Sequence, residues 1–312
     1  MRALRRTGLA VGGVAALGLA GAAYGFAEAS CYAVRRHHLP VLPAGSAPLR
    51  VLHLSDIHLL PWQRRKIGWV RQLAQLRPDV VVNTGDNISA EASIGLLLEA
   101  LEPLLHVPGV FVPGSNDYYA PKPANPLRYF AGPSKVEGER RRLPHDDLFS
   151  AFRAAGWADL TNRRETLRIA AGAHTVEILA AGTDDPHLRL DRWPGFGTRA
   201  GAAGEPVFRL GVTHAPYTRV LDAMVTDGAD LILAGHTHGG QICLPFYGAL
   251  VTNCDLPRAQ ASGVSRWTAG GRTVPLEVSA GIGAAATMPL RVACRPEAVV
   301  LELTQRRDGV QA

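Results

Sequence analysis

Five segments of the chain place aspartate, asparagine or histidine directly after a short apolar run. In chain order these polar residues are Asp56 and His58, Asp86, Asn116, His214, and the pair His236 and His238. Each apolar run is typical of a buried strand, and ligands of open α/β sheets bind just beyond the carboxyl ends of strands. One polar residue at a strand end is ordinary turn chemistry. Five runs that all end in Asp, Asn or His indicate a metal site.

The ligand types predict which ions this site holds. Two aspartates, one asparagine and three or four histidines are too many for one tetrahedral zinc. They suit two divalent ions about 3.5–4 Å apart that share a carboxylate. Mixed oxygen and imidazole donors favour Mn, Fe, Zn or Co over calcium or magnesium. We therefore expect two divalent transition-metal ions drawn from these four elements.

The elements that must position these ligands alternate between strands and helices. The five apolar runs predict strands at 50–55, 79–84, 109–113, 207–212 and 230–233. Helical spacing predicts helices at 64–76, 91–101, 147–155 and 217–225. Further strands are expected at 166–169, 175–179, 241–245, 274–279, 290–294 and 298–303, and long loops at 121–144 and 184–204. This pattern predicts an α/β fold, a sandwich of mixed sheets flanked by helices.

His53 lies in the first strand but out of phase with Asp56, so it should point to the opposite face, packed or hydrogen-bonded. The histidines that match no segment are expected on the surface or in loops: His37, His38, His106, His145, His174 and His187.

The N-terminus has the character of an export or anchor segment. Residues 8–27 carry no charge, and as a helix they would span roughly 30 Å, about one bilayer core. Six arginines against one glutamate give residues 1–50 a net charge of +5, out of +6 for the chain. Basic residues before the apolar run predict a cytoplasmic N-terminus and a domain outside the cytoplasm. We expect a signal or anchor at 1–30, whether cleaved or retained, a linker at 31–48 and one domain at 49–312.

Composition excludes several classes of protein. The 312 residues are 47% hydrophobic and 19% charged, which excludes wholesale disorder. A nearly neutral domain with 6% aromatic residues argues against nucleic-acid binding. The four cysteines form no C-x-x-C motif, and buried thiols are expected, although Cys243 and Cys254 could pair in an exported domain.

The ordered motifs D-x-H, GD-N, a G-x-N-type turn, T-H and G-H-x-H resemble those of the calcineurin-like metallophosphoesterase superfamily. The resemblance runs from about Leu49 to Leu303, and AGHTHGGQ is its most specific stretch. It implies a two-sheet sandwich in which a metal-bridging hydroxide attacks phosphorus in line. It also implies that Asp56, His58 and His238 bind the first ion, that Asp86 bridges both, and that Asn116, His214 and His236 bind the second.

The third motif departs from the family pattern. The family has G-N-H-[DE], whose histidine helps to protonate the leaving group, whereas this chain has Gly114-Ser115-Asn116-Asp117. In one register Ser115 replaces the ligand. In the other, which we prefer because an amide oxygen is the better ligand, Asn116 keeps that place and Asp117 takes the position of the histidine. Asp117 is then the candidate catalytic acid.

The expected function is an exported or membrane-anchored hydrolase of phosphate monoesters or diesters. The anchor and GHTHGGQ make the chain similar to bacterial membrane-associated phosphoesterases, which implies lipid head groups or envelope metabolites as substrates. Two alternatives remain, a catalytically weak metal-binding protein and a nuclease. Candidate contacts to phosphate are Arg128, Arg140, Arg141, Arg142 and Arg291.

Overall fold

The computed structural model describes residues 18–122, 140–172, 174–197, 207–244, 246–285 and 288–306. Two six-stranded mixed sheets pack face to face, and a core of branched apolar side chains from both sheets lies between them. Helices cover the outer faces. The predicted α/β sandwich is confirmed.

The first sheet holds three of the strands that carry predicted ligands. Its strands, in order across the sheet, are β1 (Ala33–Leu42), β14 (Glu297–Gln305), β2 (Leu49–Leu54), β3 (Val80–Asn83), β4 (Gly109–Phe111) and β5 (Ala158–Asp159). Strands β2 to β5 are parallel, so their carboxyl ends share one edge, whereas β14 runs antiparallel to β2. Strand β3 is buried along its whole length, as its run of valines predicts for a central parallel strand.

The second sheet holds the other two strands that carry predicted ligands. Its order is β12 (Gly263–Ala269), β13 (Arg272–Val278), β9 (Leu231–Ala234), β8 (Phe208–Val212), β7 (His174–Gly182) and β6 (Arg164–Ala171). Strands β13, β9, β8 and β7 are parallel, and the two edge strands are antiparallel to their neighbours. A small ribbon, β10 (Cys243–Leu244) and β11 (Gly248–Ala249), lies apart from both sheets.

Six α-helices lie in the described part of the chain and complete the fold. They are α1 (described over 18–28), α2 (Arg64–Gln72), α3 (Ile94–Leu105), α4 (Ser115–Tyr118), α5 (His145–Ala154) and α6 (Thr218–Thr226). Helix α3 buries Leu97, Leu101 and Leu104, the i, i+4, i+7 spacing of a core-facing stripe. Helices α2, α3 and α5 pack on the first sheet and α6 on the second.

Strand β1 corrects the predicted linker. Residues 33–42 pair in parallel with β14 and extend the first sheet. The segment has the polar composition of an exposed edge strand, and its pairing with the far end of the chain leaves no local signal. Strands β5 and β12 were also not predicted, and the strand expected at 290–294 is only an isolated bridge between Val292 and Ile242.

Parts of three predicted segments lie outside the described residues. These are 1–17 of the N-terminal segment, and 123–139 and 198–204 of the two long loops. Within the part of the chain that the structure describes, no helix combines the length and apolarity needed to cross a bilayer.

Candidate metal centre

The loops that follow the parallel strands meet at one edge of the sandwich. The backbone N–H of His58 donates to the carbonyl of Asp86 at 2.9 Å, which joins the first two loops. The backbone N–H of His236 donates to Asp56 Oδ2 at 2.9 Å and links the two sheets. The five predicted segments therefore form one site because strand direction brings their loops together.

The backbone at this site is unusual. Five of the seven predicted ligands have φ in the left-handed region, between 44° and 69°: Asp56, His58, Asp86, His236 and His238. Non-glycine residues held there cost about 1–3 kcal/mol each and cluster at functional sites. The loops therefore aim these side chains at the expense of local strain.

Two glycines allow the ligands to approach each other. A Cβ atom on Gly235 would lie 1.8 Å from Ser55 Oγ, and one on Gly114 would lie 2.3 Å from Asp86 Oδ1. Any side chain at either position would displace the loop. The glycines of the GHTH and GSND segments are thus required by close packing against the ligands.

The first group of ligands consists of Asp56, His58 and His238. Nε2 of His58 lies 3.2 Å from Nε2 of His238 and 3.8 Å from Asp56 Oδ1. Nε2 of His238 lies 3.5 Å from the same oxygen. All three side chains are buried, and their ligand atoms fall within 4.8 Å of one another.

The second group consists of Asp56, Asp86 and His214, whose ligand atoms also fall within 4.8 Å of one another. Asp86 Oδ2 lies 3.3 Å from His58 Nε2 and 3.5 Å from His214 Nε2, so this oxygen lies between the two groups. His236 joins the second group, with Nδ1 3.3 Å from His214 Nε2.

These residues fit divalent metal ions. Two ligands roughly 2.0–2.2 Å from a shared ion are about 2.8–3.6 Å apart, close to the separations seen here. Asp56 Oδ1 is buried and has no hydrogen-bond partner among the described residues, a costly arrangement that a bound cation would satisfy. Two carboxylates and several imidazoles are the donors that transition metals prefer.

The charge states of Asp56 and His238 suit metal binding, which requires ionised carboxylates and neutral imidazoles. Burial would raise the pKa of Asp56, but the charge of His238 and a hydrogen bond with His58 hold it well below its usual range. Burial lowers the pKa of His238 to about 3. Burial opposes protonation of His214 too, yet the charge of Asp86 raises the pKa of His214 well above its ordinary value. Without a cation, a protonated His214 therefore compensates the buried Asp86.

Backbone carbonyls orient two of the imidazoles. His214 Nδ1 lies 2.6 Å from the carbonyl oxygen of Thr84, and His236 Nε2 lies 3.3 Å from that of Asn253. A ring nitrogen that donates to a carbonyl leaves the other nitrogen free as a ligand. His214 is thereby set to bind through Nε2 and His236 through Nδ1.

Asn116 lies against the same carboxylate. Its backbone N–H donates to Asp86 Oδ1 at 2.7 Å, and its side-chain Nδ2 donates to Oδ2 at 2.6 Å. The structure thus places Asn116 at the second group, and its role as a metal ligand stays a prediction.

Asp117 has a different environment from that expected of a catalytic acid. Its fully buried carboxylate accepts hydrogen bonds from the backbone N–H groups of Asp86, Asn87 and Gly114 at 2.9, 2.8 and 3.0 Å. Burial and the charge of Asp86 raise its pKa to about 6. Because both oxygens face loop backbone, the geometry favours a positioning role: Asp117 joins the Asp86 loop to the Gly114 loop.

His187, expected on the surface or in a loop, lies at the site. Its ring centroid is 4.9 Å from that of His236, and its Nδ1 is 3.1 Å from the hydroxyl oxygen of Tyr217. Burial lowers the pKa of His187 to about 4, so the ring is neutral. Nearby Asp185 is fully buried, and its Oδ2 has no hydrogen-bond partner among the described residues.

The sequence contains a signal that Asp185 and His187 lie at the site. Both follow β7, which pairs in parallel with β8 and so ends at the same edge as the other ligand-bearing strands. The sequence pattern predicts two strands, at 166–169 and 175–179, followed by a loop at 184–204. It therefore does not group Asp185 and His187 with the five strand ends that carry predicted ligands.

Arg291, a candidate phosphate contact in the sequence, is enclosed by the protein. Its side chain is fully buried and donates to five carbonyl oxygens, those of Ala280, Gly281, Gly283, Cys294 and His238. It supports the loop that carries His238 from behind. His53 is buried as predicted, 2.5 Å from Glu277 and 2.8 Å from Thr84, and connects the two sheets.

Several known proteins are similar to this chain over half of its length or more, among them the following three. A protein of Escherichia coli (strain K12) named Phosphodiesterase YaeI is 26% identical over 284 residues, covering 89% of this chain and 90% of that protein. Uncharacterized protein YpbG of Bacillus subtilis (strain 168) is 28% identical over 226 residues, 72% of this chain and 74% of that protein. A Bos taurus protein named Transmembrane protein with metallophosphoesterase domain is 31% identical over 228 residues, 67% of this chain and 45% of that protein.

The family profile of the calcineurin-like phosphoesterases matches residues 49–240. That range begins at β2 and ends just after His238, so it contains every predicted ligand. The matched range and the two groups of metal ligands agree, and the chain therefore belongs to the calcineurin-like phosphoesterase family, as a metal-dependent phosphoesterase.

Proposed function

We propose that the chain hydrolyses phosphate esters, phosphodiesters foremost, with two divalent transition-metal ions. The observation that carries the proposal is the position of Asp86 Oδ2, 3.3 Å from His58 Nε2 of one ligand group and 3.5 Å from His214 Nε2 of the other. One carboxylate between two groups of imidazoles is the arrangement that a pair of ions 3.5–4 Å apart requires.

The ligands divide between the two ions. Asp56, His58 and His238 would hold the first ion, and His214, His236 and Asn116 the second, with Asp86 shared. When bound, the ions neutralise phosphoryl oxygens and acidify the attacking water. The chain supplies the dry, buried walls of the site and the fixed orientation of each imidazole.

His187 takes the place of the histidine missing from the third motif. It faces the second ligand group through His236, and Tyr217 can donate to its Nδ1, which leaves a hydrogen on Nε2. A neutral imidazole N–H beside the second ion is a donor for the leaving oxygen. The charge of half-buried Arg140 helps to lower the pKa of His187, after burial and the charge of His214, so Arg140 stays a candidate contact to phosphate. Arg128 lies outside the described residues.

The envelope is the proposed place of action. Glu28 of α1 accepts hydrogen bonds from the backbone N–H groups of Ala293 and Cys294 at 2.8 and 3.0 Å, beside the loop that supports His238. The same helix exposes Leu19, Tyr24 and Phe26. An apolar segment at 8–27 would thus hold the site close to a lipid surface, and the name of the bovine relative supports a membrane location. A reporter fused after Ala312 tests this, since activity only in the cytoplasm would contradict it.

A paired measurement tests the proposed chemistry. The purified chain is analysed for metals and assayed with bis(4-nitrophenyl) phosphate and 4-nitrophenyl phosphate. We expect close to two ions and faster turnover of the diester. Asp86→Ala should lose both ions and all activity, whereas Asp146→Asn, whose side chain is 90% exposed, should behave as wild type.

Two outcomes would count against the proposal. Asp86→Ala with normal metal content and normal turnover would remove the proposed site. Two bound ions without turnover of either ester would favour the alternative of a metal-binding protein with little catalytic activity.

A further inference from the structure

Two cysteines far apart in the sequence meet behind the metal centre. Cys243 begins β10, and Cys294 follows the isolated bridge between Ile242 and Val292. The backbone N–H of Cys243 donates to the carbonyl of Val292 at 2.9 Å, which holds the two segments side by side. Ala293 has φ of 50°, a left-handed turn directly between the bridge and Cys294.

The two thiols share one acceptor. Sγ of Cys243 lies 3.2 Å from the carbonyl oxygen of Gly239, and Sγ of Cys294 lies 3.6 Å from the same atom. Cys294 Sγ also lies 3.2 Å from the carbonyl oxygen of His238.

We propose that Cys243 and Cys294 form a disulfide that fastens the β10 segment to the loop at 291–294, directly behind His238. Both thiols are free in this structure, as are those of Cys31 and Cys254. Cys254 packs instead with the apolar core beneath α6, so the pairing differs from the Cys243–Cys254 link considered from the sequence.

The chemistry requires an external disulfide as the oxidant. Cys243 is the partly exposed member, so its thiolate attacks one sulfur of that disulfide and releases one thiol. Cys294, buried beside it, then loses its proton and attacks the Cys243 sulfur of the mixed disulfide, releasing the second thiol. Two protein thiols are oxidised and one external disulfide is reduced to two thiols.

The disulfide would stabilise the loop that carries the metal ligand His238. It would close a loop of about 50 residues, a length at which disulfides stabilise substantially. The carbonyl of His238 would lose the Cys294 donor but keep Arg291 Nη1 at 3.4 Å. Oxidation is therefore compatible with the present position of His238.

Peptide mapping tests the link. The full-length chain is reduced, freed of reductant, incubated with oxidised glutathione while folded, then denatured in the presence of N-ethylmaleimide and digested without reductant. We expect a peptide pair joining Cys243 to Cys294, with maleimide on Cys254. The matched control Cys254→Ser should form the same link. Cys294→Ser should instead keep glutathione on Cys243, and Cys243→Ser should leave Cys294 open to maleimide after denaturation.

The melting temperature provides a second readout. The oxidised chain should melt on the order of 5 °C above the reduced chain, and neither single variant should show this shift. Full maleimide labelling of both cysteines in a folded, oxidised chain, or a link from Cys243 to Cys254, would overturn the proposal. A Cys243–Cys294 disulfide that does not raise the melting temperature would overturn its proposed stabilising role.

Discussion

Replacing Asp117 with asparagine separates a catalytic acid from a positioning residue. The carboxylate accepts three backbone hydrogen bonds, at 2.8 to 3.0 Å, from two loops of the metal centre. In Asp117→Asn one oxygen becomes an NH₂ group, so at least one buried backbone N–H loses its acceptor and faces a second donor. The remaining bonds also lose their charge. An orphaned buried N–H costs about 1–3 kcal/mol, and we expect a total loss of about 2–4 kcal/mol.

Unfolding by urea at pH 8, followed by tryptophan fluorescence, measures this loss. That pH lies above the pKa of about 6 to which burial raises Asp117, so the wild-type carboxylate is ionised. Asp146→Asn, with its 90% exposed side chain, is the matched control and should unfold with wild type.

Kinetics on a series of esters provides the second readout. Because Asp117 holds the Asp86 and Gly114 loops together, Asp117→Asn should lower kcat/KM by the same factor for every ester. The dependence of rate on leaving-group pKa should keep its wild-type slope. A variant with wild-type stability that slows only esters with poor leaving groups would refute this reasoning and restore Asp117 as the acid.

Two further predictions concern the same site, and a third concerns buried Lys66, whose Nζ donates to the carbonyl oxygen of Ile57 at 2.8 Å. His58→Ala and His214→Ala should each bind close to one ion per chain, and elemental analysis that finds two ions or none in either would contradict the division of ligands. His187→Gln should slow alkyl esters about 10²-fold more than aryl esters, and equal slowing of both would exclude a role at the leaving oxygen. Burial lowers the pKa of Lys66 to about 7, so the unfolded chain binds more protons than the folded chain from there to about pH 10.4, and stability rises with pH over that range. Lys66→Met should therefore raise the melting temperature at pH 7 by more than at pH 10. An equal rise at both pH values would contradict the argument that burial lowers the pKa of Lys66.

The positions of the metal ligands could be predicted because their signal is local. A buried strand is visible as an apolar run, and the residue that ends it is visible as Asp, Asn or His. Parallel strands then place their ends at one edge of a sheet whatever the exact pairing. The sequence therefore assigns Asp56 and His238 to one site, although the strands that precede them belong to different sheets.

The sequence mispredicts two features whose surroundings exist only in the folded chain. Strand β1 depends on pairing with β14, and a polar edge strand has no periodic signal of its own. Arg291 resembles a free cation in the sequence, but the folded chain surrounds it with carbonyl oxygens.

The sequence by itself determined the family, the sandwich and the residues that end its strands, because strand propensity and ligand chemistry are properties of single segments. Only the tertiary structure decided how those ends are used. It turned Asp117 toward backbone amides, brought His187 against His236, and set Cys243 beside Cys294 rather than in a link to Cys254. Each of these contacts joins segments far apart in the chain, and which segments become neighbours is set by the order of strands within each sheet and by the paths of the loops between them.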